Sequence, residues 1–469
     1  MINIPVIINN ECIDTIEYQG VYSLKNEPLA TLSNFPVIRI REVKNMSEQN
    51  FDKMRAMPAK DIFKTFKKAA QIFRAMNFSI NGVNINKTDY IRLVSSCTGL
   101  PQSLIEQEIE EIAYIMDNLE GINSMQVPGG SVEIFDTNCY YIENQEIGFF
   151  PAGKNLTIKL PGNIPTICIY WLIPLSQKRP IILIPPKEDP FTHFLIYNAI
   201  KLADPLLASC ISFLPCSESA IGYLARISDQ LMIPESAKSL IASSKDYIQK
   251  TYFIHYGRSK FIITDDFDDH IIDAIYRRMT WNCGRTCTGL TSVIFKGDAN
   301  RLAHAVVERI KKDCIDMNRG SDIVPMFSME KARHLDMMIE SYLQKGDAID
   351  VTKEVRGDTR LIKCGDEGCL LPTVLLVKNK KSEIFGLELP FPFITIIEAE
   401  SDEELIKYAQ NTLILSVASE NKELIQKLCV ERSIMKVFGG KHIERGYNYY
   451  DPHEGYIADF TYQKKAVLF

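Results

Sequence analysis

The chain has 469 residues, 46% of them apolar and 24% charged, and a formal net charge of −6. That length allows two or three domains with sizeable cores, and the acidic balance argues against nucleic-acid binding. Twelve scattered cysteines and an opening stretch without a basic, apolar leader point to reduced thiols and a cytoplasmic protein. The longest apolar run, 164–175, is broken by Pro165 and Pro174 and falls short of the roughly 18 residues of a membrane span.

Residues 1 to 45 mix short apolar runs with Pro5, Pro28 and Pro36 and read as strands and turns. Pro58 to Met76 carries apolar residues at helical spacing with lysines opposite. More helix is expected over 88–119, where Glu106, Glu108, Glu110 and Glu111 read as a solvated face. Alternating apolar residues over 132–160 predict paired strands. Beyond them come a buried helix after Pro165, an apolar strand at 180–184, a helix over 191–203 and a strand at 210–214. Further strands are expected at 240–243, 251–255 and 261–264, and helices over 265–278, 297–317, 328–344 and 401–411, the last opened by the capping box Ser401 to Glu404. Apolar strands alternating with helices predict parallel α/β architecture. The chain contains neither G-x-G-x-x-G nor a P-loop. No metal site is expected, because Cys364 and Cys369 lack a second pair at zinc spacing and the seven histidines are dispersed.

The segment with the most chemistry is Thr280 to Val293, TWNCGRTCTGLTSV. Cys283 and Cys287 lie four apart, and Thr286, Thr288 and Gly289 surround Cys287 with little bulk. A thiolate nucleophile needs a reachable sulfur and nearby backbone N–H groups, which lower a thiol pKa from roughly 8.5. The order N-x-G-R-x-C resembles the nucleophile segment of the aldehyde dehydrogenase superfamily, N-x-G-Q-x-C, with Arg285 in place of Gln. The resemblance makes Cys287 the nucleophile and puts Cys283 at a variable position.

Four other segments are similar to that family in the same order, over roughly residues 130 to 469. Pro161-Gly162-Asn163-Ile164-Pro165 resembles P-W-N-x-P, which makes Asn163 the oxyanion donor alongside the nucleophile's N–H. The 181–190 stretch, IILIPPKEDP, resembles the strand end that binds the cofactor ribose. There Ile184 stands where a ribose-binding Lys is expected and Lys187 where a Glu is expected, a swap that favours a 2′-phosphate and hence NADPH. Glu383-Ile384-Phe385-Gly386 matches E-x-F-G, whose Glu holds the nicotinamide ribose and whose Phe packs on the nicotinamide. His255 to Ser259 aligns with E-L-G-G-K, which puts His255 at the family's general base. Ile233 to Ser236 stands for F-x-G-S below the pyrophosphate, with Ser236 retained and Glu235 in place of Gly.

The missing Glu at 255 resembles the acyl-transferring branch, which includes thioester-forming aldehyde dehydrogenases and the acyl reductase of bacterial bioluminescence. What the resemblance implies is NADPH- or NADH-dependent reduction of an acyl thioester, on CoA or a carrier thiol, to an aldehyde. The alternatives are a hydrolytic aldehyde dehydrogenase with His255 as substitute base, and a non-catalytic acyl-binding homologue. The implied fold is two parallel α/β domains plus a small β oligomerisation element. Residues 1–129 would be the largely helical first part of the cofactor-binding domain, 130–158 the β element, 159–256 the rest of that domain, 257–440 the catalytic domain, and 441–469 a C-terminal strand pairing across a homodimer or tetramer.

Overall fold

A computed structural model describes residues 2–467 apart from 81, 144, 243, 244 and 314–321. The chain forms two compact units. The first comprises residues 1–98, 105–255 and 449–469; the second comprises 99–104 and 256–448.

The first unit is built on a seven-stranded sheet. In spatial order its strands are Thr251–Ile254, Gln230–Pro234, Leu156–Lys159, Ile181–Ile184, Ile211–Phe213, Val6–Ile8 and Glu11–Ile13. The first five run parallel, and the N-terminal hairpin adds antiparallel at one edge. Ile181–Ile184 is buried along its whole length, as a strand covered on both faces must be. Helix Pro190–Ala203 follows it, with Pro190 in the first turn and the Asp189 side chain accepting the Thr192 N–H. Helix Ala59–Ala75 buries Ile62, Phe63, Phe66, Ala69, Ala70 and Phe73, the apolar stripe expected from its sequence. In helix Gln102–Ser124 the acidic stretch is not uniformly solvated: Glu106 and Glu110 are exposed, while Glu108 is 3% exposed.

Two expected strands take other forms. Residues 235–240 form a 3₁₀ turn, and Ile241 is drawn into the core with Leu240 packed against it, so this apolar pair anchors a turn; residues 243 and 244 lie outside the described residues. Ile134–Thr137 is a helical turn ended by Asn138 at φ 57°, before strands Cys139–Ile142 and Gln145–Pro151. Strand Tyr462–Ala466 pairs antiparallel with Gln145–Pro151 of its own chain and completes a three-stranded sheet. No helix among the described residues is long and apolar enough to cross a membrane.

The second unit holds another seven-stranded sheet, ordered Ala348–Asp350, Thr373–Val377, Phe393–Glu398, Leu290–Phe295, Ser259–Ile263, Thr412–Ala418 and Ile434–Gly439. All are parallel except the first, which pairs antiparallel. Side chains alternate between its faces. Phe261, Ile263, Val293 and Phe295 pack with helices Asp269–Thr280 and Ala299–Asp313, while Ile262 and Ile294 pack with helices Met329–Gln344, Asp402–Ala409 and Lys422–Val430.

Beside the antiparallel edge lies a buried ion cluster. Asp350 accepts from Arg356 and Arg360, the latter pair at 2.7 Å, and Arg360 also reaches Asp336 and Glu340. Burial acts to raise the Asp350 pKa, but the two guanidinium groups outweigh it and hold the carboxyl below the usual carboxylate range. A depressed carboxylate adds stability above its unfolded pKa and loses it as pH falls through the folded value. Removing one partner of a buried network leaves the others uncompensated. Asp350→Ala is therefore expected to destabilise the second unit by about 3–5 kcal/mol in urea unfolding; a loss under about 1 kcal/mol would mean the cluster is solvated like a surface pair.

Candidate active site

Cys287 lies in the turn between helix Asp269–Thr280 and the amino end of strand Leu290–Phe295. Three consecutive residues before it, Asn282, Cys283 and Gly284, take left-handed conformations with φ of 47°, 56° and 69°. For the two non-glycine residues this costs about 1 kcal/mol each, strain of the kind that accumulates at functional turns. Gly284 is required twice over, since a Cβ there would stand 2.4 Å from the Phe391 carbonyl carbon. The turn buries Cys283, whose Sγ donates to the Asp322 carbonyl at 3.4 Å and whose thiol is pushed up to about 12 by burial. Cys287 is only half-buried. Of the two sulfurs, Cys287 is the accessible one and Cys283 a protonated packing group.

The backbone of Cys287 is fixed from the neighbouring strand. A Cβ on Gly257 would fall 1.5 Å from the Cys287 carbonyl oxygen, and the Ser259 hydroxyl donates to that oxygen at 3.1 Å. The Gly257–Arg258 segment is held in turn by Glu388, whose carboxylate accepts the Arg258 N–H at 2.9 Å; burial raises its pKa and the backbone N–H groups of Arg258 and Gly257 oppose that. Next along the strand, Lys260 is buried, donates to the Gln410 carbonyl, and stands 5.8 Å from the centre of the Phe385 ring. Burial, then the Arg258 charge, pushes Lys260 down to about 7. Phe385 is half-buried against Tyr408, and the Gly386 N–H donates to Ser292. Glu383 is exposed. Cys287, Phe385 and Gly386 are thus tied to the amino ends of two adjacent strands, with Ser259, Lys260 and Ser292 as the ties.

The remaining candidates stand on the first unit. Asn163 sits in the turn after strand Leu156–Lys159, two residues before the 3₁₀ turn Pro165–Cys168. Its neighbour Gly162 leaves room for Glu188, whose carboxylate a Cβ would meet at 2.5 Å. Ile184 is a core residue, 2% exposed, so its side chain offers nothing polar to a ligand. Its register partner Lys159 is the cation at that strand end. Lys187 is exposed and lines a recess with Asn34, Pro185, Pro215 and Cys216. Lys159 and Lys187 both act on the Cys216 thiol, although burial dominates and pushes it up to about 12.

Pro234 and Ile254 are register partners in parallel strands, so Glu235 and His255 emerge side by side at their carboxyl ends. His255 Nδ1 lies 3.1 Å from Glu235 Oε2, and Glu454 accepts the His255 backbone N–H at 2.8 Å. Ser236 is exposed one residue further on. The sequence motifs missed Glu388, Lys260, Glu454 and Glu108; no local pattern marks a residue whose role is to hold a distant turn.

On the native protein, iodoacetamide at pH 8 should alkylate Cys287 well before Cys283, at least about tenfold faster given the burial of the latter, as read by peptide mass spectrometry. Faster labelling of Cys283 would reverse the assignment of the nucleophile.

Residues 234–436 match the profile of the aldehyde dehydrogenase family. No curated protein matches the chain by sequence. Among solved structures, the chain is similar to a 3,6-anhydro-L-galactose dehydrogenase in complex with NAP, with 17% identity, TM-score 0.77 and 99% of each chain covered. It is also similar to the salicylaldehyde dehydrogenase from Pseudomonas putida G7 complexed with salicylaldehyde, at 16% identity, TM-score 0.75 and coverage of 99% and 97%. An E. coli NADP dependent enzyme aligns at 18% identity, TM-score 0.74 and the same coverage. The fold of these structures thus extends along the whole chain, and the match to the aldehyde dehydrogenase family model covers residues 234–436.

Proposed function

We propose that the protein is an NADPH- or NADH-dependent reductase of acyl thioesters that forms aldehydes through an acyl-enzyme on Cys287. The observation that carries this reading is His255 in place of the family's hydrolytic carboxylate. Hydrolysis of an acyl-enzyme needs a base aimed at water, whereas acyl transfer between thiols loses product to water.

In this reading the Cys287 thiolate attacks the thioester carbonyl, and the Asn163 amide and Cys287 N–H stabilise the alkoxide. The alkoxide collapses, the C–S bond to the carrier breaks, and the departing thiolate takes one proton, which balances the overall uptake of one proton per reduction. His255, paired with Glu235, is suited to give that proton. After reduction of the acyl group, collapse of the thiohemiacetal alkoxide returns the Cys287 thiolate.

The residues present fit a 2′-phosphorylated nucleotide. Exposed Lys187 beside its recess, with Lys159 at the same strand ends, is a cationic setting at the carboxyl edge of a parallel sheet, where nucleotides bind in this architecture. Half-buried Phe385 offers a ring face, and Glu383 and Ser236 are exposed for polar contacts. When bound, the nicotinamide supplies the hydride. The similarity to an NADP dependent enzyme supports the same choice.

A second reading, hydrolytic oxidation of an aldehyde, is favoured by the His255–Glu235 pair itself, because a carboxylate-held imidazole can activate water. An assembly through the sheet completed by Tyr462–Ala466 belongs to the same proposal as its quaternary form.

Acyl-CoA with NADPH should yield aldehyde and free CoA, and aldehyde with NADP⁺ should turn over only when CoA is present. Cys287→Ala should abolish both and Cys283→Ala should spare them. Acid formed from aldehyde without CoA, lost in His255→Ala, would establish the second reading instead. Lys187→Glu should lower the NADPH over NADH preference by about tenfold or more, as expected for losing one phosphate contact; an unchanged preference would remove Lys187 from the site.

A further inference from the structure

Glu108 stands on the buried side of helix Gln102–Ser124, among Leu104, Ile105, Ile109 and Ile112. The charged groups that act on it, Glu111 and Asp189, are both acids, and the Tyr90 hydroxyl and Cys168 thiol face the same cluster. A buried carboxylate without a cation is expensive unless its bonds are made. Its bond here is specific: Oε2 accepts the Thr166 backbone N–H at 2.8 Å. Thr166 is in the first turn of the 3₁₀ segment Pro165–Cys168, where the N–H groups have no partner within the turn, and Asn163 lies just before that segment. On the other side, Glu188 fills the space that Gly162 leaves. The Asn163 turn is therefore held at Thr166 by the Glu108 carboxylate, with Glu188 lying beside Gly162 on the other flank.

We propose that Glu108 is a positioning residue for the oxyanion donor: its carboxylate holds the Thr166 N–H and so fixes where the Asn163 amide stands. The inference rests on the reading of Asn163 given above. Asp189, which acts on Glu108 as a like charge, has its own bonds from the Thr192 N–H and hydroxyl, and that hydroxyl also meets Tyr90 at 2.7 Å. Burial pushes Glu108 up to about 7, opposed by its bond from Thr166, and pushes Asp189 up to about 6. The ionised form is the stronger acceptor. The grip on the turn is firm above that range and loosens as the pH falls through it, so the acylation step weakens from pH 8 to pH 6.

The test compares full-length Glu108→Gln and Glu108→Ala with wild type, reading single-turnover acylation of Cys287 by an acyl-CoA from pH 6 to 8. Gln keeps an oxygen acceptor without the titration. Glu108→Gln should retain most of the pH 8 rate and lose part of the fall toward pH 6. Glu108→Ala should lose roughly tenfold in acylation rate with KM and Cys287 alkylation unchanged within about twofold, a fraction of the roughly 100-fold cost of losing an oxyanion donor outright. A Glu108→Gln profile identical to wild type, or a folded Glu108→Ala with an unchanged rate, overturns the inference; should the Ala variant not fold, the Gln profile decides. Asn163→Ala separates the two levels. If it leaves acylation intact, the reading of Asn163 fails; if it costs about 100-fold while the Glu108 variants are silent, only the role of Glu108 fails.

Discussion

The second unit depends on one close approach of two backbones. Gly257 presses so tightly on Cys287 that a single carbon added there would overlap its carbonyl oxygen. Only glycine lets the starts of strands Ser259–Ile263 and Leu290–Phe295 meet in this way. Once they meet, the Ser259 hydroxyl can reach Cys287, Glu388 can cap the incoming segment, and Gly284 can fold against Phe391. The sulfur at 287 is thereby carried on a backbone with little freedom, which a nucleophile needs if its N–H is also to serve as an oxyanion donor.

Buried carboxylates repeat that device. Glu108 and Asp189 in the first unit and Glu388 in the second are all pushed upward by burial, and each accepts backbone N–H from a turn, a helix start or an incoming strand segment. Each holds a segment next to a candidate residue: Asn163, Lys187 and Cys287 respectively. A neutral hydrogen bond would give similar geometry, but a carboxylate in a low-dielectric setting binds N–H groups more tightly.

Much of this was legible in the sequence, for a physical reason. Strands such as IILI and LTSVIF are buried on both faces because helices cover both faces, and the glycine of the N-x-G-R-x-C order is sterically irreplaceable in its turn. Misreadings arose where local pattern and tertiary packing disagree. The acidic run at 106–111 reads as solvated, yet Glu108 points inward to a turn 58 residues away. The apolar pair at Leu240–Ile241 reads as strand, yet it anchors a 3₁₀ turn. Ile184 was expected at a ligand because of its place in a motif, and it belongs to the core. The pairing of Glu235 with His255 could not be read from spacing, since it comes from the parallel register of Pro234 with Ile254.

The most direct test of the account is the fate of the acyl group in the absence of nucleotide. Labelled acyl-CoA is mixed with the protein, the peptide containing Cys287 is isolated, and the lifetime of its thioester is followed in buffer and with added thiol. The account predicts a thioester on Cys287 that persists in water and is discharged rapidly by CoA. Acylation at another residue, or rapid release of free acid without a thiol, would contradict it.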